Sequence, residues 1–475
     1  MGNSQSIFGH ACFLAAVSND ASRVAFRGSL QLPPVYNLDI PVVPAAITYP
    51  KSTDEVADIV RCAVQHDYKV QARSGGHSYA NHGLGGVDGA IVVDMQHFQH
   101  FSMHPFTHIA TIGSGTLLGD LTTRLYDSGG RAVAHGTCPQ VGTGGHLTIG
   151  GLGPKSREWG MALDHVEEAT VVLANSSIVQ ASKDHNDDLF FAIKGAAASF
   201  GVVTEFKLHT YPAPTEAYQY SFTWSIGDAQ AKAAVFKQWQ KLISTETLTR
   251  KFSSELLVSE AGIIVSGTYF GSREEFESFK FENHFPGSTS SVGLTLSNWL
   301  GMVGSQAEEL IERVVGGIPA NFYSKSLPFT NETIIPDHGV DALFEYIDQT
   351  KKGTLAWFII FDLEGGATND VPTNATAYAH RNAFMWMQSY AISLLGPVSR
   401  ETKDFLQGMN DIILGSEPPT ARFGAYPGYV DPYMENAQLA YWGSNLPRLE
   451  TIKAEVDPKD IFHNPQSVRV GPKHR

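Results

Sequence analysis

Gly136-Thr-Cys-Pro-Gln-Val-Gly-Thr-Gly-Gly-His-Leu-Thr-Ile-Gly-Gly-Leu-Gly153 carries seven glycines in eighteen residues. Without a Cβ the backbone can approach another group closely, and this density suits a cradle for a large ligand. The segment is not a Walker loop, because no Gly-Lys-Ser/Thr ending follows. Its glycines are also misplaced for the G-x-G-x-x-G turn that leads from a strand into a helix. A second glycine pair stands upstream, in Ala72-Arg-Ser-Gly-Gly-His-Ser-Tyr79, directly after a predicted strand. Adjacent glycines let consecutive N–H groups converge on an anion such as a pyrophosphate, although a tight turn is the plainer reading of the pair alone.

Around these segments, residues 39–211 alternate short apolar runs with helical patterns. Thr53–Gln65 reads as a helix with Thr53 as N-cap, Glu55 in the first turn, and Val56, Ile59, Val60 and Ala63 as its apolar stripe. Strand patterns are expected at 69–72, 90–93, 109–112 and 169–174, and a helix at 117–127. The texture changes near Pro212. Tyr218, Tyr220, Phe222 and Trp224 alternate with small or polar residues, one face of a strand, which suits sugar stacking and a hydrophobic core equally well. Residues 254–258 and 263–269 form a predicted hairpin, and 356–363 a further apolar strand. The stretch from about Arg422 is too small for a domain and is expected to return to the first one.

The 475 residues exceed one ordinary core, so two domains are expected. With 34 basic against 48 acidic residues the net charge is -14, a field that repels phosphate backbones and anionic membranes, so neither nucleic acid nor membrane is expected as a partner. No apolar run approaches the roughly 20 residues of a membrane helix. Three cysteines, Cys12, Cys62 and Cys138, are too few for a zinc site, and no metal is expected. A Cys12–Cys62 bridge would leave Cys138 free and imply an oxidising compartment; the alternative is two buried thiols. Sequons at Asn175, Asn331 and Asn374 point the same way. The first twenty residues make a poor secretory signal, and Met1-Gly2-Asn3-Ser4-Gln5-Ser6 fits the myristoylation pattern, which conflicts with secretion. On balance an extracellular monomer is expected.

Ser74-Gly-Gly-His-Ser-Tyr79, His135-Gly-Thr-Cys138, Gly150-Gly-Leu-Gly153, Trp159 to His165, Thr376-Ala-Tyr-Ala-His-Arg381, Tyr426-Pro-Gly-Tyr-Val-Asp-Pro432 and Asn464-Pro-Gln-Ser-Val468 occur in that order. Together they resemble the berberine-bridge-enzyme-like branch of the vanillyl-alcohol-oxidase flavoproteins, nearest its fungal gluco- and chitooligosaccharide oxidases. The resemblance implies an α+β fold: a split FAD-binding domain of the vanillyl-alcohol-oxidase type (1–212, completed by 421–475) and a substrate domain (213–420) with an antiparallel sheet backed by helices. It implies FAD held by two covalent bonds, from His77 to the 8α-methyl group and from Cys138 to the 6-carbon. Arg73, Ser74, Gly75, Gly76 and Ser78 on the first segment, and Gly142, Gly145, His146, Gly150, Gly151 and Gly153 on the second, would line the cofactor. An imidazole and a thiolate are sensible nucleophiles for such additions.

The same resemblance makes Tyr429 the base that takes a substrate hydroxyl proton and Asp362 the carboxylate that orients it. An unperturbed phenol has a pKa near ~10 and needs such help at neutral pH. Tyr79 and Tyr426 would line the substrate site. Gln388 matches a polar subsite position, Ser266 falls where relatives vary with sugar type, and Ile360 stands where some glucose-oxidising relatives carry glutamine. The expected reaction is oxidation of an oligosaccharide's anomeric carbon to a lactone, with oxygen reduced to hydrogen peroxide. Oxidation of a fungal secondary metabolite is the alternative, favoured by Ile360; a dehydrogenase with poor oxygen use and a catalytically inert flavin-fold binding protein also remain open.

Overall fold

The structure, a computed structural model, describes residues 2–29, 33, 35–225, 227–245, 248–296, 299–301 and 318–472. The side chains of the Met1-to-Ser6 pattern lie outside the described residues; its backbone opens the helix Gly2–Ala16. That helix packs on Thr53–Gln65, and Cys12 is bonded to Cys62 across the contact. Val56, Ile59, Val60 and Ala63 form the buried stripe, as their spacing requires. Ser52, rather than Thr53, is the N-cap: its hydroxyl accepts from Glu55 N at 3.2 Å.

The fold is α+β. Three short parallel strands, Ala46–Thr48, Ile91–Asp94 and Val70–Arg73, form a small sheet with Val24–Phe26 antiparallel on its edge. Beside it lies a five-stranded antiparallel sheet in the order Phe101–Met103, Ile109–Gly113, Val202–His209, Val166–Val172, Ile178–Ser182. Seven antiparallel strands then build the largest sheet, in the order Ser290–Leu296, Ala217–Ser225, Gly262–Tyr269, Phe252–Ser259, Trp357–Leu363, Met385–Ser393, Asn321–Phe329.

Strand periodicity gives this large sheet two different faces. Leu256, Val258, Val265, Ile359, Phe361, Leu363 and Met387 pack against Phe236, Trp239, Leu343, Phe344, Phe405 and Met409 from the helices Ala229–Ile243, Asp337–Gln349 and Arg400–Ser416. The alternate residues Phe358, Ile360, Asp362 and Gln388 point the other way, into a cavity. The aromatic row resolves toward the core reading: Tyr218, Tyr220 and Phe222 are buried with Phe281 and Phe285, and of the row only Tyr220 also reaches the cavity wall.

After the helix Arg400–Ser416 the chain crosses the open face and returns to the smaller sheets. Ala437–Trp442 and Leu446–Val456 pack on the core of the five-stranded sheet. Trp442 Nε1 donates to Gly195 O at 3.0 Å, and the fully buried Lys453 bonds Ser199 O, Phe462 O and Asp457. Val70 N donates to Ile461 O at 2.8 Å, so the return segment also meets the parallel sheet. Among these ties the Cys12–Cys62 bridge closes a separation of 50 residues. Replacing both cysteines by serine is expected to lower the unfolding free energy by roughly 4 kcal/mol, the chain-entropy value for such a loop. Denaturant titration of the two proteins checks this, and equal midpoints would contradict it.

Candidate functional site

The two glycine-rich segments touch each other. A Cβ on Gly75 would lie 2.4 Å from Gly142 N, and one on Gly142 would lie 2.1 Å from Gly75 N. Only glycine at both positions permits that approach. Ser114 O fastens the pair, accepting from Ser74 Oγ at 2.7 Å and from Gly144 N at 3.0 Å. Arg73 pairs with the buried Asp94 at 2.7 Å, and its guanidinium fills the space beside Gly76, where a Cβ would lie 2.6 Å from Nη2. Ser78 Oγ accepts from His82 N, closing the turn beyond.

This contact sets His77 and Cys138 on the wall of one cavity of about 770 Å³, with Arg73, Ser74, Gly75, Gly76, Ser78, Gly142, Gly145, His146 and Gly153. Burial, reinforced by the Arg73 charge, lowers the His77 pKa to about 4, so the ring is neutral at physiological pH. The Tyr36 ring lies against it at 4.7 Å. Cys138 stands outside the Cys12–Cys62 disulfide, its Sγ 3.4 Å from Gln140 Oε1. Gly150 and Gly151 are not among the residues on that wall: a Cβ on Gly150 would lie 2.9 Å from the Tyr426 ring, and one on Gly151 2.4 Å from Ala162 Cβ.

Buried histidines hold the strand that leads to Cys138. His146 Nε2 accepts from Gly136 N at 2.9 Å and His165 Nε2 from Ala134 N at 3.1 Å. Burial pushes His146 down to about 3 and His165 to about 4, which keeps both rings neutral acceptors. His135 completes the group through Thr122 Oγ1 at 2.9 Å. Sequence reading placed His146 beside a cofactor and met His135 and His165 only as members of family motifs, without a role, because backbone anchoring leaves no local signal. Asn81 was missed likewise. Its amide bonds Tyr36 N, Asn37 N, Asn37 O and Ile40 O, and so seats Tyr36 over His77.

The same cavity is lined by Tyr79, at the end of the first segment, and by Tyr429, Asp362, Glu364, Ile360, Gln388, Ser266 and Tyr426. The Tyr79 and Tyr429 rings stack at 6.1 Å, and Tyr429 meets Tyr426 edge-on at 5.0 Å. Burial first, then the Asp362 charge, raises the Tyr429 phenol well above its ordinary value. Tyr79 is pushed up to about 12 by burial, although Gln388 Nε2 donates to its hydroxyl at 3.1 Å. Tyr426 is a tie between sheets: its hydroxyl accepts from Gly151 N at 2.8 Å and its backbone N donates to Ser326 Oγ at 3.1 Å. The buried Asp431, two residues past Tyr429, is paired with Lys325 at 2.6 Å and fixes that loop to the large sheet. Ser266 Oγ donates to Glu255 Oε1 at 2.8 Å, and Glu255 is the register partner of Asp362. Glu255 and Glu364 were given no role from sequence, since nothing in the local pattern distinguishes a carboxyl that will be buried in a site from one that faces water.

A "FAD binding domain" family matches residues 44–182, and a "Berberine and berberine like" family matches residues 425–469. The FAD-linked oxidoreductase sorD of Penicillium rubens is 42% identical, over 96% of this chain and 97% of the relative. A solved chitooligosaccharide oxidase superposes with a TM-score of 0.88 at 30% identity, over 98% of this chain and 100% of that one. The glucooligosaccharide oxidase of Acremonium strictum, whose structure is described as carrying 6-S-cysteinyl, 8α-N1-histidyl FAD, superposes at 0.87 with 30% identity, over 98% and 100%. The residues present fit a flavin dinucleotide. Gly75 and Gly142 form a backbone cradle, Ser114 on the wall has a buried hydroxyl with no partner among the described residues, and His77 and Cys138 share the same space. Gly142→Ala, by forcing the two loops apart, is expected to yield protein with a lower flavin-to-protein absorbance ratio, whereas a full ratio would show that the contact is dispensable.

Proposed function

Because this chain belongs to the berberine-bridge-enzyme-like FAD-linked oxidoreductases, we propose that it oxidises an alcohol carbon, with the anomeric carbon of an oligosaccharide as the substrate position. The carrying observation is that Tyr429 and Asp362 share one cavity with His77 and Cys138. Bound there, FAD supplies a two-electron acceptor that oxygen restores with release of hydrogen peroxide. His77 and Cys138 would hold it covalently, and Arg73, Ser74, Gly76, Ser78 and Gly145 would lie beside it. The neutral His77 ring has a lone pair available as nucleophile.

Tyr429 takes the substrate's hydroxyl proton. A phenol raised by burial and by a neighbouring carboxylate does not persist as phenolate. Its own proton therefore leaves toward Asp362 as the substrate's proton arrives, and the carbon loses hydride in step. Tyr79, stacked on Tyr429 and held by Gln388, orients that phenol. Gln219, Ser221, Ser253, Glu255, Ser266 and Thr268 give the cavity a polar strip suited to sugar hydroxyls. The product is a lactone.

Ile360 favours a second reading. It lies opposite Gln388 on the neighbouring strand, packed on the Phe358 and Tyr390 cluster, and presents no polar grip. Gln388 itself is engaged by Tyr79 and Ser324. A hydroxylated secondary metabolite with an apolar body would suit that corner. Peroxide release over a panel of reducing oligosaccharides separates the two: silence at high enzyme loading removes the sugar reading. The Cys12–Cys62 bridge and the exposed Asn175, Asn331 and Asn374 support an extracellular site.

Tyr429→Phe is expected to keep its flavin and to slow substrate-driven bleaching by about 10²–10⁴-fold; a fully active variant would remove Tyr429 as the base. Acid-precipitated His77→Ala and Cys138→Ala should each remain yellow through the other bond, with colour lost only in the double variant. A colourless single variant would mean one bond rather than two.

A further inference from the structure

Glu364 is a carboxyl the mechanism above does not use. It lies one position beyond the strand Trp357–Leu363, two residues from Asp362, and lines the same cavity. It is 6% exposed, and its Oε2 has no hydrogen-bond partner among the described residues. Its backbone is fixed, with N donating to Phe384 O at 2.7 Å and O accepting from Arg157 Nε at 3.2 Å. The groups whose charge reaches the Glu364 carboxyl are Asp362 and Arg157, and it acts in turn on the phenols of Tyr378, Tyr426 and Tyr429. Arg157 does not ion-pair with it: Nε serves Glu364's own carbonyl, and Nη1 serves Thr249 O and Phe252 O.

A carboxylate buried with an unpartnered oxygen is costly, and the group takes up a proton instead. A second carboxyl two residues away on the same face adds like-charge repulsion, so such a pair holds one proton between them. We propose that Asp362 and Glu364 form a two-carboxyl, one-proton site in which Glu364 keeps the proton, leaving Asp362 to receive the proton of Tyr429. Glu364 is thus a positioning residue for the proton relay, acting through Asp362. Burial and the Asp362 charge both act in this direction, holding Glu364 well above the ordinary carboxylate range. When Glu364 ionises at high pH, its charge makes the neighbouring phenolate harder to form, and the relay slows.

The relay half of the inference rests on the reading of Tyr429 as base; the protonation half does not, and the experiment separates them. Infrared difference spectra of the holoenzyme, titrated between about pH 6 and 9, should contain a protonated-carboxyl stretch that E364Q lacks and E364D retains at a shifted position. In the same proteins the pH profile of substrate-driven flavin bleaching should show an alkaline limb in wild type, no such limb in E364Q, and its return in E364D. A stretch that survives in E364Q, or an alkaline limb unchanged by that substitution, overturns the proposal. If bleaching finds no substrate, the infrared titration alone decides the protonation state.

Discussion

The contact of Gly75 with Gly142 is the constraint on which the site depends. Two segments more than sixty residues apart meet backbone to backbone, at a distance that no Cβ survives. Ser114 O, receiving a hydrogen bond from each, turns that contact into a fixed angle. The neutral histidines behind Gly136 and the Arg73–Asp94 pair behind Gly76 then leave His77 and Cys138 little freedom. Two side chains that are to bond one ligand, as proposed for His77 and Cys138, need positional agreement of a fraction of an ångström, which only rigid supports supply.

The large sheet contributes the opposite wall by a simpler device. One face of the strand Trp357–Leu363 is consumed by helix packing, so the other is free to carry Phe358, Ile360 and Asp362. The return segment joins the walls. Tyr426 reaches Gly151 on one side and Ser326 on the other, and Asp431 with Lys325 locks the loop that presents Tyr429. Tyr429 thus belongs by sequence to the return segment, by packing to Tyr79, and by electrostatics to Asp362.

Much of this was legible in the chain because periodicity is a local property. The helix Thr53–Gln65 follows from residue spacing with both ends in place, and the hairpin of Phe252–Ser259 with Gly262–Tyr269 follows with ends displaced by at most two positions. The N-cap moved from Thr53 to Ser52 because either hydroxyl could serve and only backbone direction decides. The aromatic row was ambiguous since spacing says that side chains share a face, not what covers it; residues near Phe281 and Phe285 supplied the cover. Glycine density was read as close approach to a large ligand, and at Gly142 it serves the approach of the other glycine loop instead. Glu364, Glu255, His135 and Asn81 were illegible because their significance arises from burial and from partners distant in sequence.

Burial is also what ties the site's chemistry together. At His77, Tyr79, Tyr429 and Glu364 desolvation is the largest influence, and in every case it favours the uncharged form. A cavity with this bias does not store a phenolate in advance, so in the proposed reaction proton and hydride leave the substrate together. The same bias makes each remaining charge count for more, because fewer water dipoles screen it. A single ionised carboxylate beside Tyr429 is then an effective proton acceptor, whereas two would repel each other and oppose the phenolate character that develops as the proton departs. The placement of two carboxyls within reach of one phenol is productive only if one of them stays neutral, and the dry, unpartnered position of Glu364 is the physical reason that it does.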